Sequence, residues 1–339
     1  NDHIYVLDGT VQVGNGDGED AHEGGSTNVR EDVLTIEAGT QIMGESGSDP
    51  SLVITRGSRI EAVGTADMPI IFGAVDADRT DGDITGVPDN TVEDLSGRGD
   101  WGSLVISGYG KINNGDDNNQ TTTEAVPDGV TRWFGGTDNA DSSGTIKYVV
   151  LAETGEAFRP DEEVQGLTIE GSGSGTTISY VQVTNSDDDG IEWFGGAANA
   201  DHVVIQGVSD DSLDMDLGYQ GVVQNALVIQ GANHGDRGIE SDNNGDDFGA
   251  TPKTSPVIAN LTILGNSGNE GATMGALHRE GFGGQVYRAV YSDQSAASAL
   301  PSGQFGLGCL DVDDELDEDL HYGDVVFNCT AGGLVSDED

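Results

Sequence analysis

Gly144-Thr145-Ile146-Lys147-Tyr148-Val149 returns 32 residues later as Thr176-Thr177-Ile178-Ser179-Tyr180-Val181, with Ile, Tyr and Val at matching places. Clusters of the same kind run along the whole chain. They include Val33-Leu34-Thr35-Ile36, Leu52-Val53-Ile54, Leu104-Val105-Ile106, Leu167-Thr168-Ile169, Val203-Val204-Ile205, Leu227-Val228-Ile229 and Leu261-Thr262-Ile263. Each is short, rich in branched side chains and bounded by Gly, Asp, Asn or Ser, which is how a strand reads. No stretch carries apolar residues at i, i+3, i+4 and i+7, so helices are not expected.

The spacing of the clusters points to a repeat. Leu34 to Leu52 and Leu52 to Ile70 are each 18 residues, Val183 to Ile205 is 22, Ile205 to Ile229 is 24, and Ile263 to Val290 is 27. A second series, Asp189-Gly190-Ile191-Glu192, Asp211-Ser212-Leu213-Asp214 and Arg237-Gly238-Ile239-Glu240, recurs after 22 and 26 residues and is expected at one strand-turn position of successive coils. Trp133-Phe134-Gly135-Gly136 likewise matches Trp193-Phe194-Gly195-Gly196. A period of about twenty residues bearing short strands describes a solenoid, in which each coil buries its apolar side against the next. One solenoid domain is expected over 33–339, after an N-terminal strand or cap segment at 1–32. Polar, loop-like inserts fall near 76–99, 113–128, 241–256 and 292–308, most of them acidic.

Several segments resemble a family of secreted right-handed β-helix proteins, widespread in marine and other environmental bacteria and often lipoproteins. They are Leu34-Thr35-Ile36-Glu37-Ala38-Gly39-Thr40, Gly99-Asp100-Trp101-Gly102-Ser103-Leu104-Val105-Ile106, Ser186–Gly196 and Asp210–Tyr219. The resemblance spans the chain and implies an all-β, right-handed parallel β-helix of pectate-lyase-like fold and an exported protein. It brings no established activity and no catalytic residues.

Composition narrows the setting. The 339 residues hold 61 Asp plus Glu against 13 Lys plus Arg, a formal charge of −48. Such a surface repels nucleic acid and anionic lipid. No apolar run is long enough to span a membrane. Abundant acid with only Lys111, Lys147 and Lys253 as lysines suits a protein hydrated in concentrated salt, as in a halophilic or marine organism. Cys309 and Cys329 are expected to pair in an oxidising compartment, so the protein is placed outside the cell or on its surface.

Carboxylates dense in turns are the main chemical feature. Asp187, Asp188 and Asp189, then Asp210, Asp211, Asp214 and Asp216, then Asp313 and Asp314, are candidate ligands for Ca²⁺, which takes 6–8 oxygens. Trp133, Trp193 and Arg237 are candidate carbohydrate contacts. The six His residues form no i, i+4 pair, and His278-Arg279-Glu280 reads as a surface turn.

Two function classes remain open. One is a non-catalytic extracellular structural or cell-surface protein, stabilised by cations and self-assembling head to tail into a fibre or surface layer. The other is a polysaccharide-binding or polysaccharide-degrading β-helix. In that case Asp188, Asp189, Asp210 and Asp211 with His234 and Arg237 would line the cleft. Two facing carboxylates beside a basic residue would mark the second class.

Overall fold

A computed structural model describes residues 4–75, 97–124, 126–127, 130–159, 162–231, 235–265, 274–292, 308–312, 319–329 and 334–336. The chain winds as a right-handed parallel β-helix. Its strands fall into two long parallel sheets, of thirteen strands (sheet I) and ten strands (sheet II). The only helical turn among the described residues is the 3-10 segment Glu19–Ala21, and no helix is long and apolar enough to cross a membrane.

The coils stack like on like. In sheet I, Ile146, Ile178, Ala200, Val223, Ile258 and Val286 lie opposite one another in successive rungs, all buried. In sheet II, Leu167, Ile191 and Leu213 do the same. Burial of each such side chain contributes about 1.5–3 kcal/mol, and no coil can achieve it alone. From Ile4 onward the N-terminal segment is continuous with this stack. Ile4–Leu7 pairs with Gln41–Gly44 in sheet I, and Val11–Val13 pairs with Leu52–Ile54 in sheet II.

The 32-residue repeat is a true rung step, since Thr145 faces Thr177 and Ile146 faces Ile178. The 18-residue spacing is not. Leu34 faces Ile60 and Ile70 faces Val149 in sheet I, whereas Leu52 lies in sheet II between Val11 and Leu104. A coil carries look-alike apolar triplets in both sheets, and here their spacing mimicked a repeat. Further along, Ile205 faces Val228 rather than Ile229, because that coil is one residue shorter than the triplets imply.

The long strands of sheet I bend at one aligned position. Tyr148, Tyr180, His202, Asn225, Asn260, Arg288 and Asp324 all have φ between 51° and 56°. This left-handed conformation is unfavourable for side chains other than Asn, Asp and Gly. Contacts along the column offset it. The rings of Tyr148 and Tyr180 stack at 4.6 Å and those of Tyr180 and His202 at 4.5 Å, while Asn260 Nδ2 donates to Asn225 Oδ1 at 3.1 Å.

Two inserts dock on each other at the side of the helix. Asn113 Nδ2 donates to Asn243 O and Oδ1 at 2.8 and 2.9 Å, and Asn243 is fully buried. Nearby, Arg56 is fully buried. Its guanidinium donates to Gly16 O at 2.9 Å, Gly18 O at 2.6 Å, Gln120 Oε1 at 2.8 Å and Gly135 O at 3.2 Å. One side chain thus ties the N-terminal turn, the 113–128 insert and the Gly135 turn together. At the other end Cys309 and Cys329 are joined in a disulfide.

Candidate metal centre

Strand alternation builds the site. In the sheet II strands Ile191–Phe194, Leu213–Asp216 and Arg237–Ser241, the residues Ile191, Trp193, Leu213, Met215 and Ile239 point into the core. Glu192, Asp214 and Glu240 therefore point outward, and the pairing places them opposite one another on three consecutive rungs. Neighbouring strands lie about 4.8 Å apart. Like charges so placed oppose pairing unless something neutralises them. The turn before each strand adds more acid, with Asp188 and Asp189 on one rung and Asp210 and Asp211 on the next. Gly190 permits this close stacking, because a Cβ there would collide with the Ser212 carbonyl oxygen of the following rung.

The result is a wholly polar trough of about 280 Å³. Its walls hold these seven carboxylates, together with Glu124, Gln165, Arg237 and Arg279. The two arginines neutralise one end. Arg237 Nη1 lies 2.6 Å from Glu240 Oε2, 2.8 Å from Asp236 Oδ2 and 3.4 Å from Asp211 Oδ2. Arg279 grips Asp242 through Nε and Nη2, each at 2.8 Å, and also reaches Glu240.

The other end has no such partner. Glu192 is 7% exposed, and among the described residues its carboxylate meets no hydrogen bond or ion pair. Asp214 keeps an exposed edge, yet its Oδ1 is buried and makes no hydrogen bond. Asp189 Oδ1 accepts only the backbone N–H of Asp211, at 2.8 Å. Burial, and then the neighbouring acids, push Asp189, Glu192 and Asp214 well above the usual carboxylate range. Burial and then Asp210 hold Asp188 at about 7.

One oxygen from each of Asp189, Glu192 and Asp214 lies within 4.8 Å of the others, and the same holds for Asp188, Asp189 and Asp210. Oxygens bound to one Ca²⁺ at 2.3–2.6 Å can be no more than about 5 Å apart. The donor set is all hard oxygen, so these residues fit a cation of that class.

Five of the acids singled out in the sequence, Asp188, Asp189, Asp210, Asp211 and Asp214, thus meet in one place. Two do not. Asp187 turns away and accepts Ser209 Oγ at 2.9 Å, in a network with Arg98. Asp216 opens into a separate recess beside Phe194, where burial holds it at about 8. Asp313, Asp314 and His234 lie outside the described residues.

Trp193 is fully buried and stacks on Tyr219 at 5.3 Å, so it offers no face to a sugar. It points inward because it alternates with Glu192 and Phe194. Trp133 lies half-buried in a two-strand hairpin with Thr121–Thr122, outside the trough. Arg237 is in the trough but committed to three acids. His278 is not on a surface turn. It is fully buried against Phe282, with its neighbour Arg279 pointing into the trough. Glu192 and Glu240 are the last residues of two copies of the recurring series, and the signal that finds them is that shared position, not the density of acid in the turns.

Residues 22–88 and 91–319 match the family model described as a pectate-lyase like beta helix domain, and the chain belongs to that family. No curated protein and no solved structure matches it.

Proposed function

We propose that this member of the pectate-lyase-like β-helix family is a non-catalytic structural protein of the cell exterior. In this reading the trough on sheet II holds a divalent cation of the Ca²⁺ class that stabilises the coil stack. The observation that carries the reading is the convergence of Asp189, Glu192 and Asp214, none of which pairs with a cationic side chain among the described residues, the trough's Arg237 and Arg279 being held by other acids. Buried charge left uncompensated is strongly destabilising, and a cation shared by adjacent rungs converts that repulsion into a cross-link. The acidic composition and the disulfide support an extracellular setting.

Self-association is part of the proposal. The first described rung presents Ile4, Tyr5 and Val6, the latter two 54% and 50% exposed, and the last described rungs present Val326 at 56%. Exposed apolar edge strands are templates for pairing, and a second copy added head to tail would cover both ends. The test is thermal melting and light scattering of chelator-treated protein with and without Ca²⁺. A melting temperature that Ca²⁺ leaves unchanged removes the metal reading, and a monodisperse monomer at high concentration with Ca²⁺ removes the assembly reading.

A second reading rests on Arg237 and Arg279, which share the trough with Asp188. Basic groups beside a carboxylate that retains its proton near neutrality supply the elements of acid–base work on a polysaccharide. Turnover of any member of a panel of algal and bacterial polysaccharides, lost in Asp188→Asn, would favour this reading over the structural one.

A further inference from the structure

Two strand positions beyond Glu192 and Asp214, the outer face of sheet II changes character. Glu170, Phe194 and Asp216 lie opposite one another on three rungs, so an aromatic ring sits between two carboxylates. The hairpin residue Phe134 packs on Phe194 with ring centroids 6.2 Å apart, and Ile112 and Leu217 complete a small apolar cluster. Against this cluster opens a cavity of about 190 Å³, with Glu170, Asp216 and Glu124 on its polar side.

Glu170 is 1% exposed. Its Oε2 accepts Ser107 Oγ at 2.6 Å, while its buried Oε1 makes no hydrogen bond. Arg132 and Arg56 offset part of its charge. Asp216 accepts the backbone N–H of Leu217, and the charged neighbours that act most strongly on it, Asp242, Glu280 and Glu124, are all acidic.

Three ligand classes can be compared. A hard metal ion needs six or more oxygens or retained waters around it. Asn114, Thr121, Thr122, Glu124, Glu170 and Asp216 offer oxygens on one side of the recess, but the Phe134, Phe194 and Leu217 walls supply none on the other. A neutral apolar molecule fits those walls but leaves the acids uncompensated, which is costly in a confined site. An organic ammonium satisfies both halves. Its charge faces the carboxylates, and its weakly hydrated methyl shell packs on aromatic rings that attract cations. The size agrees, because a cavity of ~150 Å³ takes a molecule as large as benzene.

We propose that this recess binds a small methylated or alkyl ammonium ion, with Phe134 and Phe194 as its apolar wall and Asp216 and Glu170 as its counter-charges. The recess shares only Glu124 with the lining of the trough and does not depend on the metal reading.

The test is calorimetric titration of chelator-treated protein at pH 9 with tetramethylammonium chloride, and with tert-butanol as a neutral molecule of the same shape. One tetramethylammonium per chain is expected, with tert-butanol at least tenfold weaker. Asp216→Asn should weaken tetramethylammonium at least tenfold, and Glu192→Gln in the trough should change it less than twofold. Glu170→Gln, with folding checked by melting, gives the same reading should Asp216→Asn fail to fold. No saturable tetramethylammonium binding, equal binding of tert-butanol, or a loss that follows Glu192→Gln instead of Asp216→Asn would each overturn the proposal.

Discussion

Arg56 and Glu192 are both buried ionisable side chains on the same solenoid, and the chain treats them in opposite ways. Arg56 has four hydrogen-bond acceptors around its guanidinium, three of them backbone carbonyls, and so its charge is compensated within the fold. The charged groups that act most strongly on Glu192 are all acids, and among the described residues it has no ion pair. The first arrangement is complete in the folded chain. The second, in the reading proposed above, is completed by a cation from outside. A buried charge with all its partners is architecture, whereas one without partners points to a ligand.

The largest effect should come from breaking the complete site. Arg56→Ala would leave Gly16, Gly18 and Gly135 carbonyls and Gln120 without a donor. It is expected to cost ~4 kcal/mol or more, read as a shift in the urea midpoint. A variant that unfolds like the parent would show that the Arg56 contacts are incidental.

The incomplete site should respond to its missing partner. Ca²⁺ at about 100 times its dissociation constant would add about 2.7 kcal/mol, seen as a melting temperature several degrees higher and reversed by chelator. Glu192→Gln should separate the two states of the trough. Without Ca²⁺ it removes a repelling charge and raises the melting temperature, and with Ca²⁺ it removes a ligand and weakens binding at least tenfold. If Glu192→Gln lowered stability under both conditions, Glu192 would belong with Arg56.

The smallest effect is the part of the pH dependence that Asp188 carries, beside the contribution of Asp216 in the recess. The folded protein holds Asp188 at about 7, above the ordinary carboxylate value, so it binds that proton more tightly than the unfolded chain. The associated stability is full below about pH 4 and is lost as pH rises through 7. In chelator the melting temperature should therefore fall between pH 5 and pH 8. Saturating Ca²⁺ should flatten that slope, and Asp188→Asn should reduce it without Ca²⁺.

Where coils run without inserts the sequence was readable. The step from Ile191 to Leu213 and the step from Val183 to Ile205 are both exact pairings in the structure. Elsewhere periodicity could not tell the sheets apart, as Leu52 shows. For the site, composition located the acidic turns, but only the two-residue alternation of strands decides which acids converge. It sends Glu192 and Asp214 outward together, turns Trp193 into the core and moves Asp216 into the neighbouring recess. Asp187, adjacent to Asp188, is drawn off by Ser209, a contact between coils that no local pattern announces.

The column of left-handed residues from Tyr148 to Asp324 has a bearing on how such a molecule can change in length. Every rung along it meets its neighbour with the same crease already made, so an added rung needs no new corner. It needs only a side chain that tolerates the bend, most often an Asn or Asp or a ring stacked on its neighbour, with Arg288 the exception in this column. Whole coils can therefore be copied or deleted in this part of the chain without disturbing the geometry above or below, and the reach of the solenoid becomes a quantity that evolution can adjust in steps of one coil.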